Sequence, residues 1–117
     1  MTRRIAWVLS VLAALLGLGH LTIGALSFQQ LSFGALWFSG SGIAIVFGGI
    51  LNLLALLADH GRAGRALLGL SNLAMAGFFA LALIILPAPQ VVVGLLVFTA
   101  LAVIAWTSPP RPAQRAI

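Results

Sequence analysis

The sequence predicts an all-α integral membrane protein, a single bundle of four transmembrane helices with both termini in the cytoplasm. Three observations carry this reading. Hydrophobic residues make up 62% of the 117 and charged residues only 6%, which leaves too little polar side chain to coat a domain in water. The charges leave two uncharged stretches, 5–58 and 66–110, each about twice the ~20 residues needed to cross a bilayer. Finally, all six basic residues are arginines, and they cluster where a four-span topology brings them to one side.

The first stretch breaks at the polar run Ser27, Gln29, Gln30 and Ser32, which places helix 1 at about 5–26 and helix 2 at about 35–57. Between them, Phe28, Leu31 and Phe33 alternate with the polar residues, so 27–33 is expected to lie along the outer interface as a short amphipathic turn or helix. The second stretch breaks at Pro87, Ala88, Pro89 and Gln90, giving helix 3 at about 66–86 and helix 4 at about 88–106. Residues 107–117 form a tail, and 1–117 constitutes one domain. The Arg3-Arg4 start also resembles a signal peptide, with Ala25-Leu26-Ser27 as a small-x-small site; it is read as a retained first helix.

Arg3 and Arg4 precede helix 1, Arg62 and Arg65 separate helices 2 and 3, and Arg111 and Arg115 follow helix 4, whereas the other two loops carry no charge. The positive-inside rule therefore puts the arginine side in the cytoplasm. Trp7 and Trp106 fall at that interface and Trp37 at the other, where amphipathic indoles concentrate. Arginine in place of lysine, with abundant Ala, Gly and Leu, reads as a GC-rich bacterial composition and hence an inner-membrane location. The net charge of +5 is accounted for by topology, and no nucleic-acid partner is expected.

Polar residues inside the spans are few, and each requires a partner in hydrocarbon. At ~1.5 Å per residue, His20 and Ser41 both lie about 9 Å from the outer ends of helices 1 and 2, while Asn52 and Asn72 lie about 8 to 9 Å from the inner ends of helices 2 and 3. Each pair is placed to meet. Interhelical hydrogen bonding is the simplest role for Asn52 and Asn72, worth about 0.6 to 2 kcal/mol. His20 is the one titratable group within the apolar spans, expected neutral and interior-facing, and with Ser41 and Trp37 it is a candidate lining for an outward-facing pocket. Gly17, Gly24, Gly40, Ala44, Gly48 and Gly69 are the expected packing residues, with Gly40-x-x-x-Ala44-x-x-x-Gly48 the clearest small-residue run. Helix 4, whose polar content before its end is Thr99 alone, reads as a lipid-facing or packing helix.

Residues 14–21 and 66–73 match at six of eight positions, His20 opposite Asn72. The match is weak in a chain so rich in Leu, Ala and Gly, and the two segments lie at different depths. A true duplication would be a parallel repeat.

The chain has no cysteine and no acidic residue in any span; its one acid, Asp59, sits beside His60 in the central loop. Neither a nucleophile with a positioned base nor a metal ligand set is legible, so no catalysis, metal or cofactor is expected. The leading expectation is a non-catalytic bundle that acts through assembly, as a homo-oligomer or an accessory subunit of a membrane complex. The alternative is a small oligomeric carrier or channel for a neutral or lipophilic molecule, with its pocket around His20.

Overall fold

The computed structural model describes residues 1–109 and consists of four helices: α1 (Thr2–Ser27), α2 (Phe33–Leu57), α3 (Gly61–Ile85) and α4 (Pro89–Thr107). All four are long and apolar enough to cross a membrane. The tail beyond residue 109, with Arg111 and Arg115, lies outside the described residues. α3 starts five residues before the apolar stretch does, so that Arg62 and Arg65 belong to its first two turns. Hydropathy detects only the apolar part of a helix, and arginine is itself a good helix former.

The connections follow from local chemistry. Residues 28–32 form a bend, the turn rather than the helix of the two forms expected, with the Phe28 ring against Phe38 at 5.6 Å between centroids. Ser32 caps α2, its Oγ accepting the Ala35 N–H at 3.1 Å, which satisfies one of the free donors of the first turn. Between α2 and α3 the chain turns through Gly61 at φ +57°, a left-handed conformation that favours glycine. Pro89 sits in the first turn of α4, where its missing N–H removes no helical bond.

α1 pairs with α2 and α3 with α4 as two close antiparallel hairpins; α1 against α4 joins them, and the α2–α3 seam is the slightest of the four. The buried positions explain the geometry. On α1 they are Ala6, Ser10, Ala13, Gly17 and Gly24, with half-buried His20 filling the gap in the series; on α2 they are Ala35, Gly42, Ile45, Gly49 and Asn52. With half-buried Phe38 bridging Ala35 and Gly42, steps of three and four average 3.5 residues, the repeat that winds helices into a left-handed supercoil.

A Cβ added at Gly49 would lie 2.6 Å from the Ala14 nitrogen and 2.8 Å from the Ser10 oxygen, and one at Gly17 would lie 2.6 Å from the Val46 nitrogen. α1 and α2 thus meet backbone to backbone. The small-residue run expected on α2 is not this seam. Gly40 and Ala44 are exposed, and nothing lies within 4 Å of a Cβ built at Gly40; the seam runs through Gly42 and Gly49. Positions 40 and 42 differ by about 200° around a helix, so the two runs face opposite ways. Gly48 does pack, but under the Phe98 ring of α4; Gly24 faces Phe38, and Gly69 lies against Trp106.

α4 is the most enclosed helix, with 39% of its apolar window buried against 22% for each of the others, which selects packing over lipid exposure as its role. Its Phe98 and Leu101 join Ile45 in the core. The rings of Phe79 and Phe98 lie 5.8 Å apart at 20°, and Phe79 is seated on Gly94 of α4. Exposed hydroxyls need no partner helix: those of Thr22, Ser71 and Thr107 donate to the carbonyl four residues earlier, at 2.7 to 2.9 Å.

Candidate functional site

The first predicted pair forms. His20 Nε2 lies 3.0 Å from Ser41 Oγ and 3.1 Å from the Phe38 carbonyl oxygen. The Ser41 hydroxyl itself donates to that carbonyl at 2.8 Å, so its oxygen is left to accept, and the contact requires the tautomer in which Nε2–H donates. The imidazole also stacks on Phe38, centroids 3.8 Å apart and planes 12° apart. The result is a closed contact between α1 and α2.

Trp37 departs from expectation. It is 64% exposed, its ring edge-on to Phe33 at 5.9 Å, because residues 38 and 41 turn inward together and carry 37 outward. Sequence reasoning missed Phe38, whose position three residues before Ser41 places it on the same helix face.

The second predicted pair also forms. Asn52 Nδ2 donates to Asn72 Oδ1 at 2.7 Å, and Asn72 Nδ2 donates back to Asn52 Oδ1 at 2.9 Å. Both residues are buried, and Asn52 makes a further bond to the Gly48 carbonyl at 2.8 Å. This reciprocal amide pair bridges α2 and α3, the slightest of the four main helix seams.

On the arginine side of that pair the helices part, leaving a vestibule of about 480 Å³ to which all four contribute. Its floor is Ser10, Asn52 and Leu101; its mouth carries Arg3, Asp59, His60, Arg65 and Ser108. The floor's polar groups are internally satisfied, since Ser10 Oγ donates to the Ala6 carbonyl at 2.6 Å and Asn52 is held as above. Between floor and mouth the wall is apolar, with Ala55, Leu68, Ile104 and Ala105 among its residues.

At the mouth, Arg3 Nη2 donates to the Leu56 carbonyl at 2.9 Å, closing the last turn of α2. His60 Nδ1 donates to the Ala58 carbonyl at 3.0 Å, a contact that requires a proton on Nδ1. Gly64 makes room for this ring, since a Cβ there would lie 2.5 Å from that of His60. An Asp59 oxygen accepts the Gly61 N–H at 3.3 Å.

A second cavity of about 320 Å³ lies beside the first, between the outer faces of α2 and α3, with Leu51, Leu54, Leu67 and Ser71 along it. Ala55, His60 and Leu68 line both cavities. Among the described residues no three His, Asp or Glu side chains come together to hold a metal ion. The arrangement is thus a cavity apolar within and basic at the mouth. Sequence reasoning placed no site here, although Asp59, His60, Arg62 and Arg65 form the chain's densest run of charged and titratable side chains.

Comparison with protein-family models, with curated proteins and with solved structures finds no match to this chain.

Proposed function

We propose that this chain is a small multi-pass membrane protein, without catalytic machinery of its own, that takes a small lipophilic or amphiphilic molecule into the four-helix vestibule. The observation that carries the reading is the vestibule itself. Its 480 Å³ falls within the ~300 to 1,000 Å³ of small-molecule sites, and its apolar wall with a few polar groups at one rim matches their usual lining. This moves the carrier function to the arginine end, away from His20, whose hydrogen bonds already close on Ser41 and Phe38.

Arg3, Arg4, Arg62 and Arg65 cluster at the vestibule end, and the loops at the other end are uncharged. By the positive-inside rule both termini and the vestibule mouth then face the cytoplasm, in the inner membrane of a bacterium on the compositional reading. A reporter fused at Gln30 or Gln90 should respond from outside; a cytoplasmic response at either position overturns this topology.

Assembly is supported by a separate observation: Gly40 and Ala44 present a small-residue face on α2 that the bundle leaves uncovered. Such faces permit close helix approach, and a second copy or another membrane subunit would cover it.

Because the chain lacks cysteine, the replacement Ala105→Cys places one thiol in the vestibule wall. In nanodiscs this thiol should react with a small maleimide, and decanol or decanoate should protect it saturably while leaving a Ser41→Cys control unaffected. Failure of both amphiphiles to protect would refute the binding function.

A further inference from the structure

Two features of the arginine end bear on what the vestibule takes and how it arrives. The first is the polarity gradient. Ser10 and Asn52 at the floor are bonded within the protein, so a ligand finds no free polar partner there, and its polar part belongs at the mouth. There the formal charges are Arg3 and Arg65 against Asp59, a positive balance, and among the described residues no acid lies within ion-pair distance of Arg65. Half-buried Arg65 presents donors in a fork that matches phosphate oxygens. The complementary group is an anion with an apolar body.

The second feature is the neighbouring groove. It shares Ala55, His60 and Leu68 with the vestibule and is otherwise almost wholly apolar, its hydroxyl Ser71 already bonded to the Leu67 carbonyl. From Ala58 to Leu51 it follows α2 for about 10 Å, starting at the level of the basic mouth and running toward the middle of the bundle. It lies on the slightest of the four main helix seams, above which the Asn52–Asn72 pair holds α2 and α3 together.

We infer that an anionic phospholipid of the surrounding bilayer docks here, its phosphate at Arg65 and Arg3 and one acyl chain in the α2–α3 groove. This rests on the membrane placement and vestibule binding proposed above and names the ligand class. A phosphate at headgroup depth and a chain directed into hydrocarbon are the natural orientation of a lipid in that leaflet. The groove lets the chain slide in sideways without crossing water. The basic mouth then separates anionic from zwitterionic lipids, while the groove alone does not.

The test is native mass spectrometry of the intact chain released from nanodiscs of equal phosphatidylglycerol and phosphatidylcholine. The protein should retain one phosphatidylglycerol in preference to phosphatidylcholine. Arg65→Gln should reduce that preference about tenfold, the effect of one charge-assisted hydrogen bond. Ser71→Trp, which fills the groove from an exposed position, should reduce retention of both lipids. Circular dichroism of each variant guards against misfolding, and Arg65→Lys should restore part of the preference if charge is what matters. Equal retention of the two lipids, or a preference unchanged in Arg65→Gln, overturns the inference. If decanol or decanoate still protects the Ala105→Cys thiol in that case, vestibule binding stands and only the lipid assignment falls; loss of protection as well removes both.

Discussion

Replacing Asn52 and Asn72 by leucine, singly and together, tests the amide pair that closes the α2–α3 seam. The pair contributes two hydrogen bonds, of 2.7 and 2.9 Å. Interhelical bonds in membrane proteins average about 0.6 kcal/mol with a maximum near 1.7, so the coupling between the two sites should be about 1 to 3 kcal/mol. The single variants should differ. In Asn72→Leu the Asn52 amide keeps its bond to the Gly48 carbonyl, while its oxygen loses a donor and its other N–H an acceptor. In Asn52→Leu the whole Asn72 amide is left at 1% exposure without a partner, the costlier outcome for a buried polar group. The double variant should recover part of the loss, because two leucines need no partner. Unfolding in bicelles, arranged as a double-mutant cycle, measures this directly. Effects that add to within about 0.3 to 0.5 kcal/mol, the usual result for independent sites, would refute the claim that this pair holds the seam.

Gly49→Ala puts a methyl group against the α1 backbone and should lower stability by about 1 to 3 kcal/mol, as overpacking does; Gly40→Ala, facing open space, should be neutral or gain up to about 1 kcal/mol of helix propensity. Thermal midpoints in nanodiscs distinguish the two. His20→Asn and Ser41→Ala should each change stability by no more than about 1 to 2 kcal/mol, and their combination should be less than additive, since both break one hydrogen-bonded contact. Gly40→Leu should reduce any oligomer seen by native mass spectrometry, whereas Gly48→Leu, which collides with Phe98 in the same chain, should weaken the bundle without changing its copy number.

The helices and both polar pairs were legible in the sequence for the same reason: a polar residue in a long apolar run stands out, and its depth follows from counting residues. His20 with Ser41 and Asn52 with Asn72 are therefore found where rise per residue puts them. The packing faces were less legible. In a soluble bundle the buried stripe differs from the exposed one in polarity, but here leucine and phenylalanine occupy both the outer face and the core, and small residues occur all round α2. Gly40, Ala44 and Gly48 formed the more regular run, yet the α1 backbone rests on Gly42 and Gly49. The vestibule was hidden for a third reason. It depends on how far four helix ends separate beyond the amide pair, and its walls are ordinary Ala, Leu and Ile whose identity records no cavity.

The helices also differ in length. α4 has 19 residues and α1 to α3 have 25 or 26, so at ~1.5 Å per residue the most enclosed helix is roughly 28 Å long and its companions roughly 38 Å. Once inserted, the bundle would be matched by α4 to hydrocarbon slightly thinner than the ~30 Å average, and the longer helices would tilt or carry their end turns, with the arginines of α1 and α3, into the headgroups. Membrane thickness would thereby act on the vestibule. A thicker bilayer would favour upright α2 and α3, and a thinner one would favour their splaying at the arginine end, so hydrophobic mismatch alone would tune how widely the cavity stands open.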